Sequence, residues 1–530
     1  MAAKSKNLQS VKFPEKLGVS SKAIEEMINE LKENKIEYHS LMILRHGKIA
    51  FEGHRYPFGR DVPHAMYSVS KSFVSVAIGF AIDEGLISYD TKVIDIFPAY
   101  RLMKQDEKIE KLTVYHLLTM TSGKDVSVFS DKTSYYWVKD FFASKWYAEP
   151  GQKWKYISEN TYMCAAIIQK VTGMGVREYL KPRLFEPLGF DRMPQWETDR
   201  EGLEAGGWGL YITPLELAKF TLCMQQGGMY AGKQVIPQWY AEDAVKLHTT
   251  CKQNKDADSS SGYGLFFWMS SVPNCPRADG MFSQFGIMFK DYDACLIFTG
   301  SEVAEQKVKR IIFKHFPKGF VEETDEKSEE EYKFDFSPMY VLPENKRSVM
   351  EKFIEGKKIK FMKNPVLNAA GFPVSVLSFP AVYMSADKCG NINDVVFEFL
   401  EDECVFSWTE GEVRNTIHCG MDGKARESKM HLMGIDFTAY STAAWSFDGA
   451  LELLIRPIET INARMLRFEF KGKNVTVYPD TLPSSGEMLS GFTEGFGEML
   501  PGNKPAGILR KVSGRAGIVL DQPLFGKIHV

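Results

Sequence analysis

The stretch that decides the fold runs from Tyr67 to Ile82 and reads YSVSKSFVSVAIGFAI, an apolar run that begins with serines and a lysine. Its composition predicts a helix of about 17 residues from Ser68. Residues i and i+3 share a helix face, so Ser68 and Lys71 direct a hydroxyl and an amine the same way. A serine hydroxyl needs a base to become a nucleophile, and burial lowers the pKa of a lysine until it can be that base. We therefore predict that Ser68 is a nucleophile and that Lys71 takes its proton.

Composition limits the possible partners and compartments. The chain has 530 residues, of which 44% are hydrophobic, and a net charge of −3, which gives no argument for nucleic acid or an anionic membrane as a partner. Its eight cysteines include no C-x-x-C pair, a pattern typical of reduced thiols rather than a disulfide framework. The N-terminus lacks the apolar segment of a secretory signal, and no apolar run is long enough to span a membrane. We expect a cytoplasmic protein.

The pattern of predicted helices and strands changes after an acidic segment. In residues 1–320, strand patterns lie at both ends and helical patterns in the middle. Residues 321–333 include EETDEKSEEEYK, which we interpret as a solvated acidic linker. Residues 334–530 contain recurrent strand-like runs between turn residues, which predict a separate, mostly antiparallel β domain, either a barrel or a sandwich.

The S-x-x-K spacing is a weak signal by itself. A second copy, Ser385 to Lys388, precedes CGNIND, which cannot continue as an apolar helix, so we interpret that copy as chance. The first copy also fits an N-capping serine with a surface lysine. The surrounding sequence has to decide between the two interpretations.

Five blocks in order supply that context. They read HAMYSVSKSFVSVAIGFAIDEGLISYDTKVIDIFP (64–98), TVYHLLTMTSG (113–123), EPGQKWKYIS (149–158), VTG through LFEPLG (171–189) and GGWGLYITPLELAKF (206–220). Together they resemble the serine β-lactamase, penicillin-binding protein and esterase superfamily, especially its class C-like branch. The resemblance spans about residues 20–316. It implies an α+β, β-lactamase/transpeptidase-like domain, in which an antiparallel sheet is flanked by helices with a helical subdomain, and an acyl-enzyme mechanism without metal or organic cofactor.

The resemblance also assigns roles to individual residues. Tyr156 would relay the serine proton to the leaving group, and Ser158 would bind substrate near the lysine. The spacing of Tyr156, Ser158 and Asn160 is similar to the Y-x-S-x-N form of nylon-oligomer-hydrolase-like proteins, where we expect Asn160 to be structural. The backbone N–H of Ser68 would be one oxyanion donor.

The third motif is the least regular. The sequence contains no K-T-G or S-D-N, and RADGMFSQF (277–285) resembles the corresponding block of the nylon-oligomer-hydrolase-like branch. Gly280 would let substrate approach the strand backbone, and the N–H of Met281 would be the second oxyanion donor. Without a K-T-G cation nothing obvious would clamp a carboxylate, and Asp279 would repel an anion.

Other aromatic and histidine residues allow two interpretations. Tyr136 and Trp208 fall where relatives have pocket-lining segments, although core packing is the alternative. His116 is interpreted as a structural histidine, and the remaining N-terminal histidines have no metal-ligand spacing.

The predicted function is hydrolysis of a small ester or amide. A D-amino-acid peptidase or β-lactam hydrolase of the same superfamily is one alternative, and a catalytically silent binding or scaffold protein is another. The sequence does not indicate the oligomeric state.

Overall fold

The structure is a computed structural model that describes residues 8–103, 106–125, 137–199, 201–251, 258–328, 331–338, 340, 342–344, 347–362, 375–377, 391–488 and 521–529. The chain divides into two compact units, the first ending at Phe336 and the second beginning at Ser337. None of the helices in the described part of the chain combines the length and the apolar character that crossing a lipid bilayer requires.

The last residues of the first unit, up to Phe336, pack on other aromatic side chains of that unit. Phe334 packs on Phe51 with ring centroids 4.8 Å apart, and Phe336 packs on Tyr38 at 5.8 Å, so both phenylalanines belong to the first unit. The acidic segment before them is largely exposed, but the N–H of Val321 donates to a first-unit carbonyl oxygen. The segment is therefore bound along the first unit at this end rather than detached from it.

The part of the first unit that the structure describes contains twelve strands. They are β1 (Tyr38–Arg45), β2 (Lys48–His54), β3 (His64–Ala65), β4 (Lys124–Asp125), β5 (Lys145–Trp146), β6 (Gln195–Trp196), β7 (Leu210–Ile212), β8 (Met229–Tyr230), β9 (Lys233–Gln234), β10 (Arg277–Gly280), β11 (Gln284–Phe289) and β12 (Ala294–Gly300). The main sheet is antiparallel with the order β10-β11-β12-β1-β2, so β10 forms one edge. β1 and β2 form a hairpin, and its turn residues His46 and Gly47 both have positive φ, as a tight hairpin requires.

Eleven α-helices accompany these strands within the described ranges of the first unit. They are α1 (Ser21–Glu33), α2 (Ser70–Asp83), α3 (Val93–Ile96), α4 (Val114–Leu118), α5 (Trp137–Ala143), α6 (Ser158–Thr172), α7 (Val176–Leu180), α8 (Glu186–Leu188), α9 (Pro214–Gln225), α10 (Gln238–Ala244) and α11 (Glu305–His315). Short 3-10 helices span Pro14–Leu17, Tyr67–Val69, Pro98–Leu102, Glu107–Lys111, Asp258–Ser261 and Lys290–Tyr292, and a π-helical turn spans Lys181–Phe185.

Both faces of the main sheet are covered by helices. Alternate residues of a strand face opposite sides, and in β1 Leu41 and Ile43 pack into the core formed with α1 and α11. Met42 and Leu44 pack into the larger core that contains α2, α6 and α9. This second core surrounds α2, which contains Lys71 of the S-x-x-K motif. The predicted α+β architecture is confirmed.

The second unit is a closed β barrel. Its elements are α12 (Glu351–Ile354), β13 (Lys358–Phe361), β14 (Ile392–Phe399), β15 (Glu403–Glu410), β16 (Val413–Gly420), β17 (Arg426–Leu432), β18 (Ile435–Trp445), β19 (Leu451–Pro457), β20 (Ala463–Lys471), β21 (Asn474–Leu482) and β22 (Leu524–His529). The strands follow the order β16-β15-β14-β13-β22-β21-β20-β19-β18-β17, and pairing of Gly420 with Thr442 joins β16 to β18. Nine strands therefore form a ring, with β17 attached to β18. The prediction of a mostly antiparallel β domain is confirmed, and the barrel alternative is the correct one.

Aromatic side chains fill part of this barrel. The ring of Phe397 lies 5.0 Å from that of Phe468 and 5.4 Å from that of Phe406, and all three are buried. Closure removes the unpaired strand edges that an open sheet would expose.

Candidate active site

A sharp turn presents Ser68. The predicted start of the helix is wrong by two residues, because α2 begins at Ser70 and Tyr67–Val69 form a 3-10 turn. Tyr67 has a φ of 45°, a strained conformation for a non-glycine residue. From residue 64 to residue 81, Ser68 is the single residue that is not buried. The turn therefore exposes one hydroxyl from an otherwise buried segment.

Hydrogen bonds of the next serine hold this turn. Ser70 Oγ donates to the Tyr67 carbonyl oxygen at 2.6 Å and accepts from the Leu210 N–H at 3.2 Å. Ser72 Oγ donates to the Phe266 carbonyl oxygen at 2.9 Å. The serines that follow Ser68 are thus structural, each satisfied by a backbone group.

Lys71 is buried and contacts Ser68. Its side chain is 1% exposed, and Nζ donates to Ser68 Oγ at 3.0 Å and to the Gly207 carbonyl oxygen at 2.6 Å. Burial lowers the pKa of Lys71 from 10.5 to about 7, while the Glu159 carboxylate acts in the opposite direction. A substantial fraction of this amine is therefore uncharged at neutral pH and can accept a proton.

Tyr156 lies beside both groups. Lys71 Nζ is 4.9 Å from the centroid of the Tyr156 ring. Burial raises the pKa of Tyr156 well above its usual value, although a hydrogen bond with Ser68 opposes this. The phenol is thus protonated at neutral pH. The ring packs against Trp268 at 5.3 Å and against Tyr263 at 6.1 Å, which limits its movement.

Ser158 and Trp208 both adjoin Gly207, whose carbonyl oxygen binds the Lys71 amine. Ser158 is the first residue of α6, and a Cβ on Gly207 would come within 2.8 Å of the Ser158 Cβ. The carbonyl oxygen of Gly207 accepts the hydrogen bond from Lys71 Nζ. Gly207 therefore contacts both Ser158 and the lysine amine. Trp208 follows directly and packs on Trp137 at 5.6 Å. The predicted pocket residue Tyr136 lies outside the described residues, as does the second S-x-x-K copy.

The third motif forms the edge strand β10 beside the Ser68 turn. A Cβ on Gly280 would overlap the carbonyl oxygen of Met66, two residues before Ser68. Close approach of the chain to itself therefore accounts for a glycine at this position, and the predicted approach of substrate to Gly280 stays a prediction. Met281 follows the strand in a turn and is half-buried. Its role as an oxyanion donor stays a prediction.

Asp279 belongs to a buried ion cluster. It pairs with Arg277 Nε at 2.7 Å and Lys309 Nζ at 3.0 Å. Burial would raise the pKa of Asp279, but Lys309 and Arg277 outweigh it and hold the pKa below its usual value. The expectation that Asp279 repels an anion is thus corrected, because two cations compensate its charge. Lys309 lies on α11, and no local spacing in the sequence indicated this contact.

Two further carboxyl groups near these residues were not identified from the sequence. Burial raises the pKa of Glu159, in the first turn of α6, to about 7, and it does the same for Glu305 at the start of α11. Glu305 accepts a hydrogen bond from the Phe282 N–H at 2.8 Å. The available signal for Glu159 was a charged residue within a helix that is otherwise buried.

The histidines have structural surroundings. His116 Nδ1 accepts from the Thr113 N–H at 3.1 Å in a capping box at the start of α4, which confirms its predicted structural role. Within the described ranges, His, Cys, Asp and Glu side chains form no group of three or more that could hold a metal ion.

A family model described as Beta-lactamase matches residues 24–304, more than half of the sequence, and the chain therefore belongs to the Beta-lactamase family. This confirms the resemblance inferred from the five blocks.

Individual relatives match over shorter stretches. The 6-aminohexanoate-dimer hydrolase of Paenarthrobacter ureafaciens is 26% identical over 225 residues, which cover 39% of this chain and 56% of that protein. Penicillin-binding protein 4* of Bacillus subtilis (strain 168) is 26% identical over 141 residues, covering 23% of this chain and 28% of that protein. The chain thus spans less than two thirds of the length of either relative. Among solved structures, a D-stereospecific amidohydrolase from Streptomyces sp. has a TM-score of 0.44 and 16% identity, covering 56% of this chain and 99% of its own.

Proposed function

We propose that the protein is a serine hydrolase that acts on a small ester or amide through an acyl-enzyme at Ser68. The contact of a buried lysine amine with the Ser68 hydroxyl, 3.0 Å apart, is the observation that carries this proposal. A lysine whose pKa is about 7 can act as a general base at neutral pH. Membership of the Beta-lactamase family supports hydrolysis as the reaction type.

Acylation begins with proton transfer from Ser68 Oγ to the uncharged Lys71 Nζ. The serine oxygen forms a bond to the substrate carbonyl carbon, and the electron pair of the carbonyl moves to its oxygen. The backbone N–H groups of Ser68 and Met281 are the proposed oxyanion donors, and each such donor contributes about 3–4 kcal/mol in other hydrolases.

Tyr156 then delivers a proton to the leaving group. Burial keeps its phenol protonated, and the phenol lies beside both the lysine and the serine. When the bond between the carbonyl carbon and the leaving group breaks, the phenol proton passes to the leaving oxygen or nitrogen, and the Lys71 ammonium restores it. Water then attacks the acyl-enzyme along the same proton route in reverse.

The remaining predicted residues would form the substrate pocket. We assign substrate contacts to Ser158, Gly280, Tyr136 and Trp208, and the hydrolase domain to residues 1–320. The acidic segment 321–333 would connect it to a stabilising or partner-binding domain at 334–530. The cytoplasmic location expected from composition stays a prediction.

A β-lactam hydrolase or D-amino-acid peptidase is the second candidate, favoured by the similarity to Penicillin-binding protein 4*. The absence of a K-T-G sequence argues against it. Turnover of the chromogenic β-lactam nitrocefin by the wild type, lost in Ser68→Ala, would favour this candidate over the ester or amide hydrolase.

Covalent labelling tests the proposed function. A fluorophosphonate probe should label the wild type once, at Ser68, and should leave Ser68→Ala unlabelled. The exposed Ser88 provides a matched control, because Ser88→Ala should label like the wild type. Labelling that persists in Ser68→Ala would place the nucleophile elsewhere, and failure of the wild type to react would favour a catalytically silent scaffold. A library of small esters and amides, assayed with the same variants, would then define the substrate class.

A further inference from the structure

Glu159 is a buried acid without an obvious structural purpose. It lies in the first turn of α6, its side chain is only 6% exposed, and its Oε1 has no hydrogen-bond partner among the described residues. An unpaired carboxylate oxygen is costly to bury unless a nearby cation compensates it. The chain therefore retains a destabilising group at this position.

Lys71 is one of the two cations whose charges act on Glu159. Its amine is bound by the Gly207 carbonyl, and Gly207 is in close contact with Ser158, the residue directly before Glu159. Burial raises the pKa of Glu159 to about 7 and lowers that of Lys71 to about 7, and the charge of each group opposes the shift of the other. Lys155 also acts on Glu159, but its amine already pairs with Asp125.

The other helices packed on α6 also carry charged or titratable groups. They include Asp95 on α3, His116 on α4, Lys139 and Asp140 on α5, and Arg177 and Glu178 on α7. Asp95 pairs with Arg101, and Arg177 pairs with Glu204. The charges that act on Glu159 are those of Lys71 and Lys155.

We propose that the Glu159 carboxylate is the counter-charge for the ammonium that forms on Lys71 when Ser68 is deprotonated. Glu159 is then a positioning residue for the reaction, and this inference rests on the proposed function. The proton leaves Ser68 Oγ for Lys71 Nζ as the bond from Oγ to the carbonyl carbon forms. It continues through Tyr156 to the leaving group as that group departs. Glu159 gains and loses no atom; its negative charge stabilises the transient ammonium.

Replacement of Glu159 by glutamine removes the charge and keeps the shape of the side chain. Because Glu159 raises the pKa of Lys71, its loss should lower that pKa and move the acidic limb of the pH–rate profile to lower pH by about one unit. The rate on the plateau should fall about tenfold, because the ammonium no longer has a counter-charge and one pH unit corresponds to a factor of ten. A purely structural side chain would produce no such displacement.

The test is the second-order rate of Ser68 labelling by a fluorophosphonate from pH 5 to pH 9. Glu159→Gln should show the displaced limb and the lower plateau, whereas Glu159→Asp, which keeps the charge, should lie between it and the wild type. Glu216 is the matched control, a buried carboxyl in the first turn of α9, so Glu216→Gln should keep the wild-type profile.

The outcomes separate this inference from the proposed function. Failure of the wild type to label at Ser68 would refute the proposed function itself. Normal wild-type labelling with an unchanged profile in Glu159→Gln would overturn only the role of Glu159. Thermal unfolding shows whether each variant folds. If only Glu159→Asp folds, a profile identical to that of the wild type overturns the proposal.

Discussion

Replacing Lys71 with methionine should make the first unit more stable below neutral pH while abolishing the proposed activity. Among the residues that the structure describes, no carboxylate forms an ion pair with the buried lysine, and its amine is bound by one hydroxyl and one carbonyl oxygen. Methionine has a similar length and carries no charge. The variant therefore exchanges a reactive amine for an apolar side chain that suits its surroundings.

The magnitude follows from the pKa of Lys71. A fall from 10.5 to about 7 means that the folded state disfavours the ammonium by about 5 kcal/mol. This cost is fully present below pH 7, where both folded and unfolded chains would carry the proton. It declines as the pH rises from 7 to 10.5, because only the unfolded chain still binds it. Loss of the donor to the Gly207 carbonyl oxygen costs the variant about 1–3 kcal/mol at any pH.

The net gain for Lys71→Met is thus about 2–4 kcal/mol near pH 6, and it should vanish or reverse near pH 10. Thermal unfolding of both proteins at several pH values measures this difference, with the exposed Lys22→Met as the matched control. Labelling of Ser68 should fall by a factor of about 10²–10⁴ in the same variant. A variant that is no more stable than the wild type at pH 6, or whose advantage is the same at pH 6 and pH 10, would refute the reasoning.

Three other substitutions test neighbouring parts of the site. Tyr156→Phe keeps the packed ring and removes the proton donor, so kcat/KM should fall by about 10²–10⁴ with little change in unfolding temperature; an unchanged kcat/KM would exclude the relay. Gly280→Ala places a methyl group against the Met66 carbonyl oxygen, which should displace the Ser68 turn and destabilise the unit by about 1–3 kcal/mol in chemical denaturation; wild-type stability would show that β10 can shift freely. Asp279→Asn leaves Arg277 without one of its buried carboxylates and should cost about 3–5 kcal/mol in the same assay; a smaller loss than that of an exposed aspartate would contradict the ion pairing.

The S-x-x-K motif shows which features of the site depend on local sequence alone. The contact between Ser68 and Lys71 could be predicted because three residues make one helical turn, whatever the rest of the chain does. The exact start of α2 could not be predicted. The 3-10 turn before it depends on a hydrogen bond from the N–H of Leu210, on β7, to Ser70 Oγ. Likewise, the predicted repulsion of an anion by Asp279 was wrong, because its ion-pair partner Lys309 lies on α11, far away in the sequence.

The sequence by itself determined the family, the position of the candidate nucleophile and base and the β character of the second unit, because these depend on short-range periodicity and ordered motifs. Only the tertiary structure decided that the strands close into a barrel through Gly420 and Thr442, since strands of a barrel and of a sandwich share the same alternating pattern. Only packing buried both Glu159 and Lys71, where their charges act on each other, because the free energy of a charge depends on the atoms that surround it rather than on its neighbours in the chain.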